Sequence, residues 1–163
     1  MTDSARAHLR HEVLVGGISN TVFNGLIAWL LLREGPDLGF GNIAGDIIAT
    51  ALLLPFIVAL IVIPLQRGKM TKGALQPISL GAGSSMQAFA DRFPASTLKA
   101  ALLFGFLGML VIAPLTLLGF YLFGIQQVAP LNYAIFKGIW AGGMAGVLVI
   151  PMVLTALRAP AQA

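Results

Sequence analysis

The chain has 163 residues, of which 58% are hydrophobic and only 10% charged. A water-facing domain carries about 25% charge, so this chain lacks the polar surface of a soluble fold, and a mean hydropathy of +0.90 makes lipid the expected solvent. The formal charge of +4 would point to nucleic acid in a soluble protein, but the basic residues flank apolar spans, so no nucleic-acid partner is expected. The absence of cysteine excludes disulfides, thiolate metal sites and thiol catalysis.

A spanning helix needs about 20 mostly apolar residues. The chain begins with a polar tail holding Arg6, Arg10, His8 and His11. Two histidines three apart could touch a metal, but only Glu12 stands nearby as a further ligand, so no metal site is expected. The first span is Val13–Leu32. Its apolar run exceeds the roughly 7–15 residues of a signal-peptide core, and Leu30-Leu31-Leu32-Arg33 is a poor cleavage site, so it is expected to be a retained helix. Within it Asn20 and Asn24 share a face with Gly16 and Ala28, and Gly17, Thr21 and Gly25 form a small-residue stripe beside them. Small residues permit close helix approach, and asparagines hydrogen-bond across helices. The same asparagines would also suit a polar lining for a solute or headgroup.

A short turn, Arg33–Asn42, carries Gly35-Pro36 and Gly39. The second span is Ile43–Leu65, interrupted by Pro55 and Pro64 and ended by the basic run Gln66-Arg67-Gly68-Lys69. Asp46 lies about one turn inside its beginning, with Thr50 one turn deeper on the same face. Residues Gln66–Ala95 form the long loop. Its second half, from Ser84 to Phe93, reads as a short helix: Ser84 and Gln87 have capping-box spacing, Met86, Phe89 and Phe93 recur on one face, and Pro94 ends it. Two readings stay open. The helix lies on the membrane surface, with Arg67, Lys69, Lys72, Phe89, Arg92 and Phe93 contacting anionic headgroups and acyl chains, or its phenylalanines pack under the bundle.

The third span, Leu98–Phe123, follows a candidate Ser96 cap and contains Pro114. It lacks a polar stripe and is expected to be the most lipid-exposed helix. The fourth span, Leu131–Leu157, holds Lys137 at a depth matching Asp46, and Gly138, Gly142 and Gly146 at intervals of four. That doubled GxxxG is the clearest motif in the chain and predicts a close helix contact. Asp46 and Lys137 would pair, share a pocket that binds an ion or charged group, or each reach the interface alone.

Eight of the ten Lys and Arg residues (Arg6, Arg10, Arg67, Lys69, Lys72, Arg92, Lys99 and Arg158) fall on one side of this layout. The positive-inside rule puts that side, and both termini, in the cytoplasm. Trp29, Tyr121 and Tyr133 fall near the outer ends, where amphipathic rings gather.

The expectation is an all-α integral membrane protein: a single transmembrane domain over residues 1–163, built as a small four-helix bundle in a bacterial inner membrane. No Walker loop, GxSxG, HExxH or nucleophile–base pair is visible, so neither an enzyme nor a cofactor is expected. The partners expected are anionic lipids and either itself or another membrane protein. The favoured role is an oligomer or accessory subunit of a membrane complex, with the glycine stripe as docking face. The alternative is a transporter or channel component using Asp46, Thr50, Lys137, Asn20 and Asn24. A dry Asp46–Lys137 contact would favour assembly, and a water-accessible cavity would favour transport.

Overall fold

A computed structural model of the chain describes residues 2–78 and 84–158; residues 79–83 of the long loop and the C-terminal tail from 159 lie outside the described residues. Four helices, counting the interrupted third span as one, are long and apolar enough to cross a membrane.

α1 runs from Asp3 to Leu32, ten residues before the apolar span itself begins, because the Thr2 side chain caps it by accepting from the Ala5 amide. α2 spans Phe40–Thr71. At about 1.5 Å per residue it is longer than the roughly 30 Å of bilayer hydrocarbon, so its polar last turns project beyond the apolar span. α3 is the short loop helix, Ser85–Asp91, capped by Ser84 on the Gln87 amide. The third span starts at the Ser96 cap as α4, Thr97–Leu107, passes through a π turn, Gly108–Ile112, and continues as α5, Ala113–Leu122. The π turn ends two residues before Pro114, which has no amide hydrogen for the carbonyl four residues back; a wider turn accommodates the missing bond. α6 is Pro130–Ala156.

The turns that join α1 to α2 and α5 to α6 are tied together by a feature the sequence pattern does not announce. Strand β1, Leu38–Gly39, pairs antiparallel with β2, Gln127–Val128, and the Phe40 amide extends the ladder to the Gln126 carbonyl at 2.9 Å. Leu38 is buried beneath it.

α6 is the central helix. It packs on α1, α2 and α3, and most of its second half is buried. Glycine and alanine at its contact positions let three neighbours approach one helix. α1 runs antiparallel beside it: a side chain at Gly142 would meet Thr21 Oγ1 and the Gly17 carbonyl, and one at Gly138 would lie 2.8 Å from the Thr21 carbonyl. Gly25 lies opposite Gly138, and Gly17 opposite Gly146. The two stripes singled out in the sequence thus face each other within one chain.

The third span differs from expectation. It is not the most exposed helix, because Gly105 and Gly108 press it against α2: a Cβ at Gly108 would run into the Ala51 carbonyl oxygen, and one at Gly105 would fall 2.8 Å from that of Leu52. Trp140 adds a polar tie between α6 and α5, donating to Thr116 Oγ1 at 3.0 Å. The most exposed span is α1, whose Leu14, Ile18, Phe23 and Leu31 all point outward. Its small-residue stripe, with Leu9, Val13 and Gly16 toward the basic end, meets α6, and its other face is an exposed apolar surface.

Candidate functional site

The end of the bundle away from the basic residues holds the main polar site. Ile43, Ile47 and Ala51 form the buried ridge of α2, and Asp46, beside that ridge, points along the α2–α6 boundary. On α6, Tyr133 and Lys137 are one helical turn apart and share a face. Lys137 Nζ donates to both oxygens of Asp46, at 2.6 and 2.7 Å. The Tyr133 hydroxyl donates to Asp46 Oδ2 at 2.5 Å. Tyr133 is fully buried, Lys137 is 14% exposed and Asp46 36%. A carboxylate in an apolar bundle needs such donors, since an unpaired charge there carries a large desolvation cost.

The pair is not sealed. It lines a cavity of about 330 Å³ whose opposite wall is the last turns of α1, through Ile27, Ala28 and Leu31. Asp37 and Asn42, from the β1 turn and the start of α2, complete its polar side. The cavity exists because α1 leans on α6 and makes little contact with α2, while the β1–β2 ladder holds the connecting turn across the top. The arrangement joins an apolar wall to a charge pair whose partners can each exchange the other for a ligand group of matching charge.

The sequence-expected residues divide. Asp46 and Lys137 come together; Thr50 is half-buried on α2, deeper than the cavity lining. Asn20 and Asn24 do not join them. Each amide turns back onto its own helix, Asn20 to the Gly16 carbonyl at 2.8 Å and Asn24 to that of Asn20 at 3.0 Å. An asparagine can satisfy its amide on the preceding turn without a neighbouring helix. Tyr133, read as an interfacial ring, is instead a ligand of the carboxylate. Its place four residues before Lys137 was the signal for this.

At the basic end, the residues expected on the lipid surface also divide. Phe93 is buried and stacks on Phe104 with ring centroids 4.2 Å apart, and Ala90 of α3 is wholly buried. This part of the loop therefore packs under the bundle, because Pro94 turns the chain so that Phe93 faces α4. Phe89 and Met86 stay exposed, as do Lys72 and Arg92. Arg67 donates to Thr97 Oγ1 at 3.0 Å, and Lys69 is drawn to Glu12 at 3.2 Å. His8 Nε2 bonds Gln66 Oε1 at 2.9 Å. The contacts of Lys69 and His8 join α1 to α2 at this end. Among the described residues no group of three or more His, Cys, Asp or Glu is placed to hold a metal ion.

Fold and site together define a class: an all-α bundle with four apolar helices long enough to cross a membrane and a charge pair at one end. No protein-family model, characterised protein or solved structure matches the chain.

Proposed function

We propose that the chain is a non-enzymatic multi-pass protein of a bacterial cytoplasmic membrane, with both termini inside, acting as a transport component. Its outward cleft would bind a small ion, polar solute or lipid headgroup. One observation carries this reading: Asp46 and Lys137 line an open cavity of about 330 Å³ rather than meeting in a dry contact. The glycine stripe of α6 supports it indirectly. That stripe is occupied by α1 of the same chain, so it is no longer a free docking face. The orientation rests on the eight basic residues that share one side.

The assembly reading, a homo-oligomer or accessory subunit, keeps one observation in its favour. Gly41, Gly45 and Ala49 form an exposed small-residue stripe on α2, with nothing within 4 Å of where a Cβ would stand at either glycine.

The test is native mass spectrometry of protein purified from its own membranes in mild detergent. Wild type should carry a small molecule that the double variant Asp46→Asn/Lys137→Met, which leaves neither charge unpaired, retains about tenfold less. Identical spectra for the two proteins would remove the cleft from the function and leave assembly as the reading.

A further inference from the structure

A second cavity, of about 340 Å³, lies at the basic end in the groove between α1 and α6. Its walls are apolar, from Leu9, Val13 and Leu14 on α1 and Ile150 on α6, and Arg6 and Arg10 stand over it. The two arginines are four residues apart on α1, about 6 Å along the helix axis, so both guanidinium groups lie above the same groove. Both are exposed, and among the described residues neither guanidinium has an ion-pair or hydrogen-bond partner.

Other basic residues of this end differ in one of two ways. Arg67 and Lys69 already have side-chain acceptors, and Arg158 donates to the Phe93 carbonyl at 2.8 Å. Lys72, Arg92 and Lys99 are exposed but line neither this groove nor the outer cavity. Arg6 and Arg10 combine unengaged positive charge with an apolar slot between α1 and α6.

We propose that this groove is a binding site for one anionic glycerophospholipid. Arg6 and Arg10 hold its phosphate, and an acyl chain lies along Leu9, Val13, Leu14 and Ile150. The chemistry selects this occupant. Arginine offers a planar fork of N–H donors that matches phosphate oxygens, and charge-assisted contacts of this kind are stronger than neutral ones. The groove below them is apolar and carries no acceptor for a polar tail. A basic pocket between spanning helices at the cytoplasmic face also sits where anionic lipids are enriched. The site needs the bilayer orientation proposed above, but it is independent of the Asp46 cleft at the opposite end.

The experiment uses the full chain in nanodiscs of phosphatidylcholine containing a minority of phosphatidylglycerol. After release, native mass spectrometry reads which lipid stays bound. Wild type should retain phosphatidylglycerol well above its share of the bilayer. Arg6→Gln/Arg10→Gln should lower that preference about tenfold, since two charge-assisted contacts are lost. Ile150→Trp fills the slot while keeping both arginines, and should also lower retention. Arg92→Gln/Lys99→Gln removes the same charge from the same end and should leave retention unchanged. The proposal is overturned if the Arg6/Arg10 variant retains the lipid as wild type does. It is equally overturned if the Arg92/Lys99 control loses as much, because the preference would then be general surface charge. Displacement by water-soluble glycerol phosphate, or indifference to Ile150→Trp, would also overturn it, because the apolar groove would then play no part.

Discussion

The α1–α6 seam and the α2–α4 seam both depend on glycine, yet they close against different things. At Gly142 the nearest obstacle to a side chain is the Thr21 hydroxyl, with the Gly17 carbonyl behind it at 2.7 Å. At Gly108 the obstacle is backbone, the Ala51 carbonyl, with the Pro55 ring next at 2.9 Å. At Gly142 the first obstacle is a side chain on a regular helix pair, although Gly138 of the same seam meets the Thr21 carbonyl. At Gly108 the contact is backbone against backbone, at the point where the third span unwinds into its π turn. A side-chain obstacle can be removed by mutation, whereas a carbonyl cannot. The Gly142 contact should therefore be partly repairable, since only the Gly17 carbonyl then remains in the way, and the Gly108 contact not.

The largest expected effect tests this difference. Gly108→Ala and Gly142→Ala should each destabilise the bundle by about 3 kcal/mol, the upper part of the range for overpacking, read as loss of thermal stability in detergent. Adding Thr21→Ala should recover about 1 kcal/mol of the Gly142 loss, a fraction of that overpacking cost, and nothing of the Gly108 loss. Equal recovery in both backgrounds would show that Thr21 acts on stability generally and not through the α1–α6 seam.

The intermediate effect concerns the charge pair that bridges α2 and α6, and with them the two seams. Asp46→Asn and Lys137→Met should each lower stability, and the double variant should lose less than their sum, because a partner left alone in an apolar bundle is poorly compensated. The coupling from the double-mutant cycle should stay below about 2 kcal/mol, as polar contacts between membrane helices generally do. Simple additivity of the two losses would mean that the pair does not hold α2 to α6.

The smallest effect has the opposite sign. Gly143 is the neighbour of Gly142 but points outward, with nothing within 4 Å of the position its Cβ would take. Gly143→Ala should therefore stabilise α6 by roughly 0.5–1 kcal/mol through helix propensity alone. A loss comparable to that of Gly142→Ala would place a further partner on that face, as the assembly reading requires.

Composition and hydropathy were enough to determine the class of the chain, its four apolar spans and the helix caps at Ser84 and Ser96. Those properties are local: a residue's cost in hydrocarbon and a hydroxyl's reach to an amide three residues on depend little on the rest of the fold. The glycine run of α6 was legible for a related reason, since a repeat of four on a helix marks one face wherever that face turns.

The sequence could not show which face each neighbour takes, because that depends on the rotation of each helix about its axis. Gly105 and Gly108 carry no polar signal, so the third span read as featureless until packing set them against the carbonyls of Leu52 and Ala51. Asn20 and Asn24 read as bonds across helices or as a polar lining, but the preceding turn of their own helix satisfied their amides first. Asp46 and Lys137 were matched by depth alone. Only the tertiary structure brought Tyr133 to the same carboxylate, closed the turns with the β1–β2 ladder, and left the space beside α1 that the pair lines. A cavity is set by the distance between elements far apart in the chain, and here that distance follows from α1 packing on α6 and standing apart from α2 at the end that holds Asp46.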